Sequence, residues 1–91
     1  TENADPRVHD DLEEFLLRVV PDGDSRYTHT SEGRDDMPAH IRSVLTGGSL
    51  TVPISDSRLV LGIWQGIYLW EHRIKPHERQ VVITISGEQR Q

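Results

Sequence analysis

The sequence predicts an α+β fold in which two helices pack on antiparallel sheet. Its first half contains two segments with apolar residues at helical spacing, whereas the half from Ser49 onward either alternates or is almost continuously apolar, which is typical of strands. Ninety-one residues suffice for one small domain with a single core. We therefore expect a single domain over residues 1–91.

The first helix is predicted to begin at Asp5-Pro6 and to end near Val20. Asp5 suits the cap position, and Pro6 suits the first helical position, where its missing N–H costs nothing. Pro21 then stops the helix. Five apolar residues recur at helical spacing between these limits: Val8, Leu12, Phe15, Leu16 and Val19.

The segment 22–36 is polar and contains Gly23 and Gly33, so it predicts an irregular loop. A loop of about 15 residues inside a compact domain is long enough to indicate a functional role.

A second helix follows this loop, with Asp35 or Asp36 as its cap and Pro38 in its first turn. Gly47-Gly48 is predicted to end it. Its buried side is expected to consist of three apolar residues: Ile41, Val44 and Leu45.

The second half of the chain predicts three strands. The segment 50–54 alternates between apolar and polar residues, and 55–57 predicts a turn. The segment 59–71 is apolar on both faces, which indicates a central strand covered on two sides. After a charged connection over 72–80, the last strand is predicted over 81–86.

Composition excludes several classes of protein. The 10 Lys and Arg residues are scattered among 15 Asp and Glu, for a net charge of −5. We expect no nucleic-acid partner, because nucleic acid requires a clustered positive face. The absence of cysteine rules out thiolate ligands and disulfides and fits a cytoplasmic location. No apolar run approaches the roughly 20 residues of a membrane span, so no membrane association is expected.

His29, Asp36 and His40 are candidate ligands of a divalent metal. Imidazole suits zinc, nickel or iron, and a carboxylate adds a hard oxygen. Asp36 and His40 are four residues apart, so they can face the same way on a helix. The alternative is that His29 lies in solvent on the loop and that His40 bonds to the backbone of the helix. Asp36 (or Asp35) would then simply cap the helix, and we favour this capping interpretation.

Gln65 and Glu71 lie on one predicted face of the central strand. A carboxylate on an apolar face must be paired, protonated or at the mouth of a pocket. A raised pKa of Glu71 would suit a general acid or base. The alternative is that Glu71 lies just past the buried part of the strand, where it reaches water.

Four stretches together resemble the YjbQ family, also called the secondary thiamine-phosphate synthase enzymes. They are ENADP, HTSEGRDDMPAH, SLTVPISDSRLVLGIWQGIYLWEH and VVITISGE, and they cover almost the whole chain in order. The resemblance implies an α+β fold, usually a homotrimer, with a histidine-rich metal site near subunit boundaries. It also implies a weak transferase activity that joins a hydroxymethylpyrimidine diphosphate to a thiazole phosphate.

The family pattern carries over by position. Its histidine before the acidic loop corresponds to His29, its DD-x-x-AH pattern to Asp35, Asp36, Ala39 and His40, and its WQ-x-I-x-x-x-E pattern to Trp64, Gln65, Ile67 and Glu71. Family members begin with further strands that carry an HTS-type motif and would supply a third site histidine. The chain is therefore expected to correspond to the C-terminal two-thirds of a YjbQ-like domain.

Three functions follow as hypotheses. In a thiamine-phosphate-synthase-type transferase, Glu71 or His40 would handle a proton, and Arg58 would bind the small phosphorylated molecule. Gln65 or Asp36 would then lie at the rim of the pocket. In a non-catalytic metal- or ligand-binding trimer, His29, His40 and Asp36 would only hold the ion. The third hypothesis is a structural or interaction domain.

Overall fold

The computed structural model describes residues 1–88, which form two helices and one small antiparallel hairpin. Helix α1 spans Pro6–Val19 and helix α2 spans Asp36–Thr46. Strand β1 spans Ile54–Ser55 and strand β2 spans Arg58–Leu59. The predicted α+β class is confirmed, with a much smaller sheet than the sequence led us to expect.

Helix α1 begins and ends where its local sequence predicts. The Asp5 carboxylate accepts a hydrogen bond from the Arg7 backbone N–H, which satisfies one of the free donors of the first turn. At the other end, the Val20 N–H donates to the Leu16 carbonyl before Pro21 interrupts the helix.

The apolar face of α1 is only partly covered. Leu16 and Val20 are buried, whereas Leu12, Phe15 and Val19 remain exposed. The small core of the described residues therefore lies at the C-terminal end of this helix.

The predicted buried side of α2 is only partly correct. Ile41 is half-buried, whereas Val44 is 82% exposed and Leu45 is also exposed, and the fully buried residues of the helix include Pro38 and Arg42. A periodic apolar stripe identifies a face that favours burial but does not identify what covers it. The covered face of α2 includes Arg42, because backbone and carboxylate oxygens accept hydrogen bonds from its guanidinium there.

Arg42 connects three parts of the chain. Its Nη2 donates to the Val20 carbonyl at 2.7 Å and to Asp22 Oδ1 at 3.1 Å, and its Nη1 donates to the His72 carbonyl at 3.1 Å. The side chain is only 6% exposed. Helix α2 is thereby fastened both to the end of α1 and to the segment that follows Trp70.

The loop between the helices closes on itself. The Gly23 N–H donates to the Arg34 carbonyl at 3.0 Å, and the Tyr27 hydroxyl donates to the Pro21 carbonyl. Gly23 has a φ of +67°, a conformation that residues with a side chain rarely adopt, so a substitution there would strain the backbone. This closure holds the intervening residues over the start of α2.

The predicted turn at 55–57 is confirmed as a hairpin. Ser55 pairs with Arg58 across the two residues Asp56 and Ser57, which have φ values of +51° and +61°. Two successive positive φ values define a turn whose twist matches that of the flanking strands.

The predicted strands over 59–71 and 81–86 are wrong beyond Leu59. Within the described residues these segments form no ladder, and the chain turns at 62–65, where the Gln65 N–H donates to the Gly62 carbonyl. A strand forms only when its backbone groups meet a neighbouring strand, and apolar composition alone does not supply one. The start of the chain contacts the 59–71 segment through backbone hydrogen bonds that Thr1 and Ala4 make with Gly66 and Trp64, and these contacts build no ladder.

The resulting molecule is elongated and exposes much apolar surface. Its Cα radius of gyration is 16.8 Å, compared with about 12 Å for a compact domain of this length. Ile63 is 93% exposed and Val82 is 88% exposed. Within residues 1–88, neither helix is long and apolar enough to cross a membrane. A cytoplasmic location stays a prediction.

Candidate metal centre

His29, Asp36 and His40 meet at the start of α2. Asp36 Oδ2 lies 3.0 Å from His29 Nε2 and 3.3 Å from His40 Nε2. The two imidazole centroids are 5.6 Å apart. The Asp36 side chain is 6% exposed, whereas those of His29 and His40 are 49% and 59% exposed. A buried carboxylate therefore stands between two imidazoles that are open to solvent.

Two elements position these side chains. Asp36 and His40 are four residues apart on α2, one turn above each other on the same face. His29 comes from the closed loop, which folds back over the N-terminus of the helix. The convergence expected from the sequence is present; whether the three residues bind metal stays a prediction.

The donor types suit a divalent metal, because imidazole nitrogens and carboxylate oxygens are both common ligands of zinc and similar ions. The two imidazole nitrogens and the carboxylate oxygen all lie within 4.8 Å of one another. Ligands 2.0–2.1 Å from a tetrahedral ion are roughly 3.3 Å apart, close to the two separations from Asp36 Oδ2. Three protein ligands also leave coordination positions for another molecule.

Of the two predicted cap residues of α2, Asp35 occupies the cap position and Asp36 does not. Neither carboxylate accepts a hydrogen bond from the backbone of the first turn of α2. Both instead face Arg73, whose Nη1 lies 2.9 Å from Asp36 Oδ1 and whose Nε lies 3.1 Å from Asp35 Oδ2. A guanidinium is a stronger partner for a carboxylate than a peptide N–H. The Arg73 guanidinium, together with the Ile74 N–H, lowers the pKa of Asp35 to about 2.

An open cavity of about 310 Å³ adjoins the histidine–aspartate cluster. Asp36 and His40 line one side of it, and Glu71 and Arg79 line another. The cavity thus places a second carboxylate and a second guanidinium beside the candidate metal ligands.

Glu71 does not have the raised pKa that would suit a general acid. Both of its oxygens accept hydrogen bonds from Arg79, each at 2.7 Å, and His77 Nδ1 lies 3.3 Å away. The Arg79 guanidinium stabilises the charged form and lowers the pKa of Glu71. Glu71 is therefore an ionised, paired carboxylate at neutral pH.

Gln65 and Arg58 do not line this cavity. Gln65 Oε1 accepts a hydrogen bond from the Gly62 N–H at 2.6 Å, and so stabilises the local turn. Arg58 lies in the hairpin, opposite Ser55. Sequence reasoning missed Arg73 and Arg79, which belong to the segment interpreted only as a charged connection.

The fold and the cluster define an α+β protein with two histidines and a buried aspartate gathered at the start of a helix. The chain belongs to the family described as UPF0047 protein YjbQ-like, whose model matches residues 1–88. The resemblance seen in the sequence is thereby confirmed.

Several curated proteins are similar to the chain. It is 56% identical to UPF0047 protein sll1880 of Synechocystis sp., over 96% of this chain and 59% of the relative. It is 49% identical to UPF0047 protein YjbQ of Escherichia coli O157:H7, over 96% of this chain and 62% of the relative. It is 40% identical to UPF0047 protein YugU of Bacillus subtilis, over 94% of this chain and 62% of the relative. The chain thus spans about three-fifths of these relatives, and no solved structure matches it.

Proposed function

We propose that this protein binds a divalent metal ion, zinc or a similar ion, through His29, Asp36 and His40. The observation that carries the proposal is the position of Asp36 Oδ2, 3.0 and 3.3 Å from the two imidazole Nε2 atoms. A bound ion would neutralise the carboxylate and polarise a ligand oxygen. The exposed imidazoles leave room for such a ligand from the adjoining cavity.

The competing explanation is an ion pair without metal. Asp36 Oδ2 would then accept hydrogen bonds from the Nε2–H groups of His29 and His40, and the cluster would only stabilise the loop. The two explanations differ in their response to added metal, because a metal displaces those protons and its binding becomes stronger as the histidines lose charge.

Zinc titration of the intact, chelator-stripped protein tests the proposal. We expect saturable binding at one ion per chain, weaker in acid because protons compete with the metal for the imidazole nitrogens. Calorimetry or competition with a chromogenic chelator measures the affinity. Absence of saturable binding for both Zn²⁺ and Co²⁺ at neutral pH would rule out the metal site.

A transferase of the thiamine-phosphate-synthase kind is the second candidate function. In that reaction the thiazole nitrogen forms a bond to the methylene carbon of the pyrimidine, and diphosphate leaves. The observation that favours it is the cavity itself, in which Arg79 stands beside Glu71 near the proposed metal ligands. Arg79 is better placed there than Arg58 to meet phosphate oxygens. Assaying the same metal-loaded and metal-stripped preparations with both precursors separates an enzyme from a binding protein.

A homotrimer is the proposed assembly. The family resemblance motivates it, and exposed apolar residues in the second half of the chain, such as Ile63 and Val82, support it. Apolar patches of this extent are unusual on a soluble monomer. Multi-angle light scattering of the intact protein should give three times the monomer mass, and a monomer at micromolar concentration would contradict this assembly.

A further inference from the structure

The two oxygens of Asp36 have separate partners. Oδ2 faces His29 and His40, whereas Oδ1 accepts a hydrogen bond from Arg73 Nη1 at 2.9 Å. We propose that Arg73 is the positioning residue of the metal site, which holds Asp36 so that Oδ2 stays between the two imidazoles. This inference rests on the metal-binding function proposed above.

The Arg73 guanidinium is fixed by several contacts at the junction between the loop and α2. Besides Asp36, its Nη2 donates to the Glu32 carbonyl at 2.9 Å, and its Nε lies 3.1 Å from Asp35 Oδ2. The Ile74 N–H donates to that same Asp35 oxygen at 2.8 Å. The side chain is largely buried. A planar group with several simultaneous partners cannot rotate without breaking them all, so the geometry of Asp36 is set before a metal arrives.

Charge and positioning predict opposite effects of removing Arg73. A positive side chain near a cation site repels the cation, so charge alone predicts tighter metal binding once it is removed. Asp35 already offsets that charge at 3.1 Å, which leaves Asp36 as the carboxylate that faces the imidazoles. Positioning therefore dominates, and loss of Arg73 weakens binding.

The test uses Arg73→Lys and Arg73→Met in the intact protein, titrated with Zn²⁺ and Co²⁺. Lysine keeps the charge but loses the planar fork, and methionine keeps much of the chain length but loses both. We expect both variants to bind Zn²⁺ about 10- to 100-fold more weakly, as when a partner of a metal ligand is lost. The visible spectrum of the Co²⁺ form should also change as the carboxylate moves.

Arg18→Met provides the matched control. Arg18 is an exposed arginine on α1 that pairs with Glu14 and does not line the cavity. Its removal should leave Zn²⁺ affinity unchanged. Wild-type affinity in Arg73→Lys together with tighter binding in Arg73→Met would show that only charge matters and would overturn the positioning role.

A metal-free measurement separates this inference from the metal-binding proposal. In the stripped protein, the Nε2 nuclear resonances of His29 and His40 report their contacts with Asp36 Oδ2. Both Arg73 variants should shift these resonances, whereas Arg18→Met should not. If the wild type binds no zinc, the metal function fails, yet this spectrum still decides the positioning role. Unchanged resonances in Arg73→Lys would overturn that role even if Arg73→Met failed to fold.

Discussion

Replacing Arg42 with alanine should lower the free energy of unfolding by about 3–5 kcal/mol, the cost of removing one partner from a buried charged network. The guanidinium satisfies the carbonyls of Val20 and His72 and the carboxylate of Asp22. Alanine leaves those oxygens without a donor in a region where the arginine itself is only 6% exposed. Chemical denaturation of the intact protein, followed by far-ultraviolet circular dichroism, measures the loss.

Arg18→Ala is the control for that experiment. Arg18 is 63% exposed and pairs with Glu14 one turn earlier on α1, so its removal should change stability by about 0.5 kcal/mol or less. Arg42→Met distinguishes packing from hydrogen bonding, because it retains much of the apolar stem. If Arg42→Ala were no more destabilising than Arg18→Ala, Arg42 would not be what fastens α2 to the end of α1.

The helices could be predicted from the sequence because their limits depend on local chemistry. Asp5 caps α1 and Gly47, with a φ of +81°, ends α2. Each of these signals acts within one turn of the residue that carries it. The hairpin turn at Asp56-Ser57 was predictable for the same reason.

The strands could not be predicted because pairing is not local. The segment 59–71 has the composition of a central strand, yet Leu59 is its only residue that pairs in a ladder within the described chain, with Ile54. Which face of a helix becomes buried also depends on contacts with residues that are distant in the sequence. Val44 has the right period for burial and is exposed, whereas Arg42 is buried because Val20 and His72 supply acceptors.

The candidate site shows the same division. Asp36 and His40 share a face because of their spacing on α2, which the sequence reveals directly. Arg73 meets Asp36 from 37 residues away, and no sequence period indicates that contact. An arginine immediately after the WEH stretch was the only available signal, and a charged residue beside a turn is usually solvated.

Replacing His40 with alanine should reduce Zn²⁺ affinity at least 100-fold, or about 2.8 kcal/mol. Loss of an outer partner alone costs about 10- to 100-fold, and His40 is proposed as a ligand itself. Stability of the metal-free protein should change by less than about 1 kcal/mol, because the side chain is mostly exposed and its removal opens no core cavity. Zinc competition and denaturation of the same preparation measure the two quantities.

His77→Ala is the matched control, since His77 is also a largely exposed histidine and contacts Glu71 rather than Asp36. It should bind Zn²⁺ like the wild type. The ion-pair explanation predicts the reverse pattern for His40→Ala, with stability lost and any Zn²⁺ binding elsewhere on the protein untouched, because His40 would then act only as a partner of Asp36. The metal-site explanation therefore predicts a change in Zn²⁺ affinity, whereas the ion-pair explanation predicts a change in the free energy of unfolding. An equal loss of Zn²⁺ affinity in the His77 variant would show that binding is not confined to the three proposed ligands.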